Sequence, residues 1–402
     1  MSQVLQARVG FVSGRFVHED GDGFFVDAGL GRLIDALSAR SAHLTAALAV
    51  APRRHPLHDH RLRLGAADLL RLPEMPSVAR GARKFVRCWK VIRELERRSD
   101  VLIVQLPFTA PIALLGARRP RVYNVCADVQ AIVGVSNAYR GARRSLARGV
   151  AWGMDRLQAH LVHAPVTSVV ANGNELFGRY RPTRGRAQVS STIEAREIMS
   201  VVRSRPAGAP FRVLFVGYLR PEKGVDTLVA AFERLLVERP DAELQIVGAG
   251  SVIERGVAQA TQRALARLAE RASVSFVGER GFGPALFQCF ADADVLVVPS
   301  RSEGTPRVLI EARSFGCPVV ATRVGGIPTS VEDGVDGLLV APDDPAALAR
   351  ALMRLASDRA LHARLVAAGL ARARRTTVDV FAQAMIDEAA QLLAAGPNQE
   401  RH

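Results

Sequence analysis

The chain of 402 residues has room for two to three domains of roughly 150 residues each, and 49% hydrophobic with 23% charged residues excludes wholesale disorder. Four cysteines, Cys88, Cys126, Cys289 and Cys317, lie far apart with no Cys-x-x-Cys, which argues against a disulfide framework or zinc module and fits a reducing, cytoplasmic setting. The formal charge of +15 is uneven: residues 1–200 hold 30 Lys+Arg against 16 Asp+Glu, a balance of +14, and residues 201–402 hold 24 against 23, a balance of +1. The two halves are therefore expected to meet different partners.

Residues 1–7 lack the basic start and long apolar stretch of a secretory signal. A strand is predicted at 8–12, then a polar, glycine-bearing stretch at 18–23, then a helix from about 24 to 40. Further strands read at 101–106, 121–125 and 168–171. The longest uncharged run, 101–117, is broken by Gln105, Pro107 and Pro111. It falls short of the roughly 20 apolar residues of a membrane span and reads as a buried strand followed by a helix. Residues 203–210 (RSRPAGAP) have the composition of a linker, so the domain boundary is placed within 190–210, where the charge balance also changes.

In the second half strands read at 212–216, 243–247, 274–277, 295–298, 319–321 and 338–340, with helices at 226–238 and 252–271. Apolar strands without in/out alternation, separated by helices, predict parallel sheets covered on both faces. The expected architecture is α/β, with two Rossmann-like doubly wound domains facing a central cleft and ligands at the carboxyl ends of the strands. The domains are 1–200 and 201–377. A last helix, 378–395, is expected to pack back on the first domain, with a frayed tail after Pro397.

Two constellations carry chemistry. In Pro299-Ser-Arg-Ser-Glu303-Gly304-Thr305-Pro306-Arg-Val-Leu-Ile-Glu311, a strand ends in a short loop, and Thr305-Pro306 reads as an N-cap with proline at the first helical position. The free N–H groups of such a helix start suit a phosphate. Glu311 would lie roughly 8 Å along the helix axis from Pro306, placed to accept hydrogen bonds from a sugar diol. The solvated or capped alternative for both carboxylates weighs equally on spacing alone. In Phe215-Val-Gly217-Tyr218-Leu-Arg220-Pro-Glu-Lys223-Gly224, a strand runs into a loop, Gly217 permits close backbone approach, and Arg220 with Lys223 supplies two cations for a diphosphate. Fixed cations of this kind stabilise a departing phosphate without a metal ion.

Taken together, Gly217…Glu222-Lys223-Gly224, Val247-Gly248-Ala-Gly250, Pro299-Ser…Glu303-Gly304-Thr305…Glu311, Gly325-Gly326-Ile-Pro328 and Asp333-Gly-Val-Asp336-Gly337 resemble the retaining GT-B glycosyltransferases of family four (the group 1 transferases, with a Glu-x7-Glu motif). The resemblance covers about residues 211–345; the first half agrees in outline through its strand order and its glycine-bearing loop at Gly21, Asp22 and Gly23, which becomes the acceptor-side loop. It implies a metal-independent hexosyl transfer with retention from a nucleotide-diphosphate sugar, UDP- or GDP-linked, to a glycan or glycolipid in surface polysaccharide or lipopolysaccharide assembly of bacterial type, with no cofactor. Glu311 would hold the donor ribose, while Glu303, Gly304 and Thr305 face the sugar and β-phosphate. Lys223 would neutralise the diphosphate, beside Gly217 and Tyr218, and the base would lie against Val277, Gly278 and Glu279. The chain departs from the family where Tyr218 stands in place of an arginine, with Arg220 two residues on. It departs again where Ala127 stands in place of a histidine, leaving Asp128 as the catalytic-side acid.

The basic half contains the segment 80–98 (RGARKFVRCWKVIRELERR), which opens on Arg80 and closes on Arg98. Phe85, Cys88, Trp89, Ile92 and Leu95 make an apolar stripe amid cations, a pattern that suits an anionic membrane surface and equally a helix packed on its own sheet. Segments 140–148 and 179–186 add to the same field. The expected location is cytoplasmic, peripheral on the inner face of the plasma membrane. Nucleic acid is disfavoured, because no recognition motif interleaves aromatics with the charge. An NAD reading fails on Val247-Gly248-Ala-Gly250, since position 253 is Ile. His58, His60, His160 and His163 read as structural. The competing readings are a catalytically silent nucleotide-sugar-binding protein and a basic membrane- or nucleic-acid-binding module.

Overall fold

The computed structural model describes residues 4–53, 55, 58–73, 82–107, 109–114, 119–130, 133, 142–206, 208–248, 259–270 and 273–395. The chain divides into two compact units, one of residues 1–192 with 378–402 and one of residues 193–377.

In the first unit β1 (Leu5–Asp20) is the hub. It runs parallel to β3 (Ser41–Ala51) on one side and β6 (Val101–Leu106) on the other, then turns back antiparallel on β2 (Gly23–Val26), which also pairs with β4 (His60–Arg61). β5 (Leu69–Leu72) extends the sheet beyond β3, while β7 (Arg121–Val125), β8 (Thr167–Ala171) and β9 (Gly185–Ala187) extend it beyond β6, all parallel. The strand predicted at 8–12 is thus sixteen residues long. Ser13, Gly14 and Arg15 interrupt its apolar run, and the ladder shifts register between Ser13 and Phe16. A bulge of this kind bends a strand without ending it. Gly21 and Asp22 are consequently a hairpin turn, in which the Asp22 amide donates to Asp20 Oδ1 at 2.9 Å. The predicted helix at 24–40 shortens to Ala28–Ser38, capped by Asp27, because its first residues are the returning strand.

Alternate residues of these strands enter two cores. One, with Phe11, Ile103 and Leu48, is closed by the helices Ala28–Ser38 and Val378–Ala395 through Ile34, Leu37, Phe381 and Met385. The other, with Val12, Leu102 and Tyr123, is closed by Ala82–Arg98 and Ala142–Val162 through Ile92, Leu95, Leu161 and Val162. The last helix is also tied down by a buried polar contact: Glu388 accepts from Ser168 Oγ and from Arg186 Nε, each at 2.6 Å.

The second unit is a sheet of six parallel strands in the order β12-β11-β10-β13-β14-β15. They are β10 (Arg212–Val216), β11 (Glu243–Val247), β12 (Val274–Gly278), β13 (Val295–Val298), β14 (Val319–Thr322) and β15 (Leu338–Val340). Each lies within one residue of its predicted place, because a strand buried on both faces reads as an unbroken apolar run. The strand order reverses between β10 and β13, the doubly wound pattern. Helix Val225–Glu238 covers one face through Leu228, Phe232 and Leu235, and helices Pro284–Asp292 and Val308–Ser314 cover the other through Phe290 and Leu309. Of the helix predicted at 252–271, Gln259–Glu270 is described. Residues 252–258 and 271 lie outside the described residues, as do Ala249, Gly250, Arg80, Arg140 and the tail beyond Pro397. No helix among the described residues is long and apolar enough to cross a membrane.

Candidate active site

Between β10 and β13 the crossovers leave in opposite directions, so the loops after Val216 and Val298 open together at the carboxyl end of the sheet. These are the two predicted constellations, and they touch. Lys223 Nζ donates to Glu303 Oε1 at 2.6 Å, and the Ser300 hydroxyl donates to the same oxygen at 2.7 Å. The Glu303 side chain is 10% exposed and that of Lys223 is 27% exposed. The pair therefore sits in a lowered dielectric with one edge open to a ligand.

Two glycines make this approach possible. Gly224 sits at φ +65°, and a Cβ there would lie 2.0 Å from the Pro299 carbonyl oxygen. Gly325 sits at φ +50°, with Glu303 O 1.8 Å from where its Cβ would be, and the Gly326 amide donates to Gly304 O at 2.9 Å. The Glu303–Gly304 loop is thus pressed between two glycine-bearing turns. Gly224→Ala is expected to cost about 2 kcal/mol, the left-handed penalty plus displacement of the Pro299 carbonyl. Urea unfolding checks this; an unchanged midpoint would show that the loop slides freely.

Arg301 completes the frame and was not singled out from the sequence. Its guanidinium donates from Nη2 to Asp226 at 2.6 Å, from Nε to Asp343 at 2.7 Å and from Nη1 to the Pro221 carbonyl at 2.6 Å. Its amide donates to Glu222 O at 2.8 Å. One side chain therefore fixes the Lys223 turn to the Glu303 loop. The contact to Asp226 and Asp343 raises the Arg301 pKa through hydrogen bonding, against the opposing effect of burial. With 51 arginines in the chain, nothing in the sequence marks this one.

At the other edge Gly217 donates its amide to Val247 O at 2.9 Å, and Gly248 donates to Gly278 O at 3.0 Å, stitching the ends of β10, β11 and β12 together. A Cβ at Gly248 would meet Gly217 O at 2.1 Å. Tyr218 is exposed, and the Arg220 guanidinium lies over its ring at 4.9 Å. Tyr218, where the sequence departs from the pattern it otherwise resembles, thus carries an arginine stacked on its ring. Val277 and Gly278 end β12 beside Glu279, which is exposed.

The helix bearing Glu311 begins later than predicted. Val308–Ser314 starts after Arg307, with no side-chain cap, so Thr305 and Pro306 precede it. The reason lies in the glycine turn: Gly304 accepts the Gly326 amide, and Thr305 Oγ1 sits 2.5 Å from where a Gly326 Cβ would be. That bond holds residues 304–305 out of the helix. Glu311 is buried in the first turn. Two residues on, Arg313 anchors the helix from below, its Nη2 donating to Asp336 Oδ1 at 3.3 Å and its Nη1 to Ser330 O at 2.8 Å. Asp336 Oδ2 also accepts from Arg372 Nη1 at 3.0 Å. Burial pushes the Arg313 pKa down to about 10, so its charge persists at neutral pH.

The structure brings Gly217, Tyr218, Arg220, Lys223, Glu303, Gly304 and Thr305 onto adjoining loops of the second unit, with Glu311 in the first turn of the helix that follows. Asp128, Gly21, Asp22 and Gly23 belong to the first unit. There Asp128 follows β7 and is salt-bridged to Arg179, which also reaches Asp155 at 3.1 Å. Asp155 in turn accepts from the Tyr180 hydroxyl at 2.6 Å, and burial followed by that bond pushes the phenol pKa up. His60 Nε2 lies 2.9 Å from Asp35, and His163 lies between two backbone carbonyls.

Residues 210–358 match the family described as Glycosyl transferases group 1, so the second unit carries a domain of that kind. A D-inositol 3-phosphate glycosyltransferase of Streptomyces scabiei is 33% identical over 269 residues, 64% of this chain and 57% of that protein. The chain therefore spans little more than half the length of this curated relative. Among solved structures, sucrose-phosphate synthase from Thermosynechococcus elongatus aligns over 97% of this chain and 100% of its own, with TM-score 0.67 and 21% identity. Anabaena Alr3699/HepE in complex with UDP-glucose aligns over the same shares with TM-score 0.66 and 18% identity. The fold class is accordingly the predicted one, parallel α/β sheets in two Rossmann-like domains with glycosyltransferases as structural neighbours.

Proposed function

We propose that the chain is a retaining, metal-independent glycosyltransferase that moves a hexosyl group from a UDP- or GDP-linked donor to a hydroxyl of a glycan or glycolipid, in cell-surface polysaccharide assembly. The observation that carries this reading is the meeting of the Lys223 and Glu303 loops at the strand reversal, within the residues that match the group 1 transferases. Glu311 accepts the ribose hydroxyls, and Gly304 and Thr305 face the β-phosphate. Lys223 and Arg220 offset the diphosphate charge, taking the place of a metal ion. Glu303 lies toward the sugar, Val277 to Glu279 border the base, and Asp128 serves the acceptor side. In the transfer step the sugar C1–O bond to phosphate breaks, and the acceptor oxygen bonds C1 on the same face. The acceptor proton passes to the departing phosphate oxygen. The structural neighbour in complex with UDP-glucose supports a uridine donor.

Thermal melts with UDP, GDP, ADP and NAD, on the natural protein and on Glu311→Ala, test the reading. A ligand at 100 times its Kd adds about 2.7 kcal/mol. One nucleoside diphosphate is expected to stabilise the natural protein and to lose that effect in the variant. If none raises the midpoint at millimolar concentration, the donor site is lost as an idea. Release of free sugar from the intact donor separates a working transferase from a silent nucleotide-sugar binder.

A further inference from the structure

In the proposed donor site Lys223 meets the diphosphate and Glu303 meets the sugar, yet in the structure the two meet each other. The ammonium donates to Glu303 Oε1 at 2.6 Å. A bound donor must therefore break this contact before either residue can take up its role.

The two partners differ in how far they can move. The Glu303 side chain is mostly buried, and its Oε1 also accepts from the Ser300 hydroxyl at 2.7 Å. Ser300 is itself fixed, its carbonyl accepting from Thr322 Oγ1 at 2.5 Å at the end of β14. The backbone of the Glu303 loop is pressed against Gly325, and the Gly326 amide donates to Gly304 O at 2.9 Å. Lys223 is the last residue of the single turn Pro221–Lys223, and its ammonium sits on a flexible four-carbon stem with one edge open. The ammonium can turn to a phosphate, and the carboxylate cannot follow it.

The contact therefore weighs differently on two ligands. A free nucleoside diphosphate that draws Lys223 away leaves Glu303 mostly buried and without its charged donor, which opposes binding. An intact nucleotide sugar brings hydroxyls that donate to the vacated carboxylate oxygen, so the pairing is restored. A site whose polar groups are left unpaired rejects the analogue that lacks the matching hydroxyl. We propose that the Lys223–Glu303 pair is a selectivity device that disfavours the free nucleoside diphosphate and admits the intact nucleotide sugar. The inference rests on the donor site proposed above and adds to it a competition, within the site, for the cation that the diphosphate needs. Once the sugar has been transferred, Glu303 reclaims Lys223 and the nucleoside diphosphate leaves more readily.

Calorimetric titrations of the natural protein, Glu303→Gln and Ser300→Ala with UDP, UDP-glucose, GDP and GDP-mannose test this. Within the pair that binds, the natural protein is expected to hold the sugar nucleotide about tenfold more tightly than the diphosphate, the effect of one buried group left unpaired. Glutamine keeps the shape of Glu303 and its contact to Ser300 but not the charge that holds the ammonium. In Glu303→Gln the free diphosphate is expected to bind about tenfold more tightly and the sugar nucleotide no more tightly, so that the preference disappears. Ser300→Ala is expected to widen the preference about threefold, because Glu303 then depends more heavily on the ammonium. Equal tightening of both ligands in Glu303→Gln would reduce the effect to removal of a negative charge, and weaker binding of the diphosphate would reverse its sign. Either result overturns the proposal and leaves the donor site standing, as does an unchanged preference in Ser300→Ala, which decides the matter if Glu303→Gln does not fold. Binding of none of the four ligands to the natural protein would overturn the donor site and this proposal with it.

Discussion

Replacing Lys223 by methionine is expected to slow sugar transfer about 10²–10³-fold while the protein stays folded. The ammonium is the cation held against Glu303 at 2.6 Å, at the mouth of the proposed donor site. Methionine keeps the length of the side chain and removes its charge. In the proposed reaction the diphosphate gains charge as the C1–O bond breaks, so a fixed cation is worth more at the transition state than in the ground state. The loss should therefore appear mainly in kcat, with a smaller rise in the Kd for the nucleoside diphosphate. A rate within threefold of the natural enzyme would remove Lys223 from the chemistry. A rise in Kd alone would make it a binding residue only. Arginine at this position would restore charge but not the compact contact to Glu303.

The largest effect on stability is expected from Asp336→Ala, about 3–5 kcal/mol. Asp336 is the carboxylate between two guanidiniums, Arg313 and Arg372, and it also accepts the Glu332 amide at 2.9 Å. The Arg313 side chain is 1% exposed. Removing its counter-charge leaves a buried cation facing a second one, with the Ser330 carbonyl still accepting from Arg313. The double replacement Arg313→Met with Asp336→Leu should recover much of the loss, because a buried ion pair is about as stable as a well-packed apolar pair. Chemical denaturation measures both. A cost below 1 kcal/mol for the single replacement would mean that water reaches the guanidinium. Since the helix of Arg313 also carries Glu311, the single variant should bind nucleotide more weakly as well.

The second unit is the more legible half, and the reason is burial. Its strands lie under helices on both faces, so each is a continuous apolar run with abrupt ends. The first unit hides more. β3 reads SAHLTAALAVA, rich in alanine and leucine, and it is a strand only because β1 and β5 pair with it on either side. β2, β4 and β9 are two to four residues long, too short to establish a period. At the site, the motif residues lie on the expected loops, but their supports were not evident. Arg301 and Arg313 look like the surface arginines around them until the structure places acids against them. The start of the Glu311 helix was misplaced because Thr305-Pro306 is a good local start, which the Gly325–Gly326 turn overrides.

The packing of helix Val378–Ala395 orders the chain's synthesis against its assembly. This helix supplies Phe381, Met385 and Leu392 to the core that strands from the first fifty residues begin. It also brings the carboxylate that receives Ser168 and Arg186. On the ribosome the first unit emerges before the second and is completed after it. Until residue 395 has left the tunnel, one face of its sheet lacks the second of its two covering helices, while residues 193–377, once emerged, hold everything their own core requires. The half that is begun first is finished last, and between the emergence of residue 377 and that of residue 395 a chaperone would find its apolar strip in the first unit and not in the second.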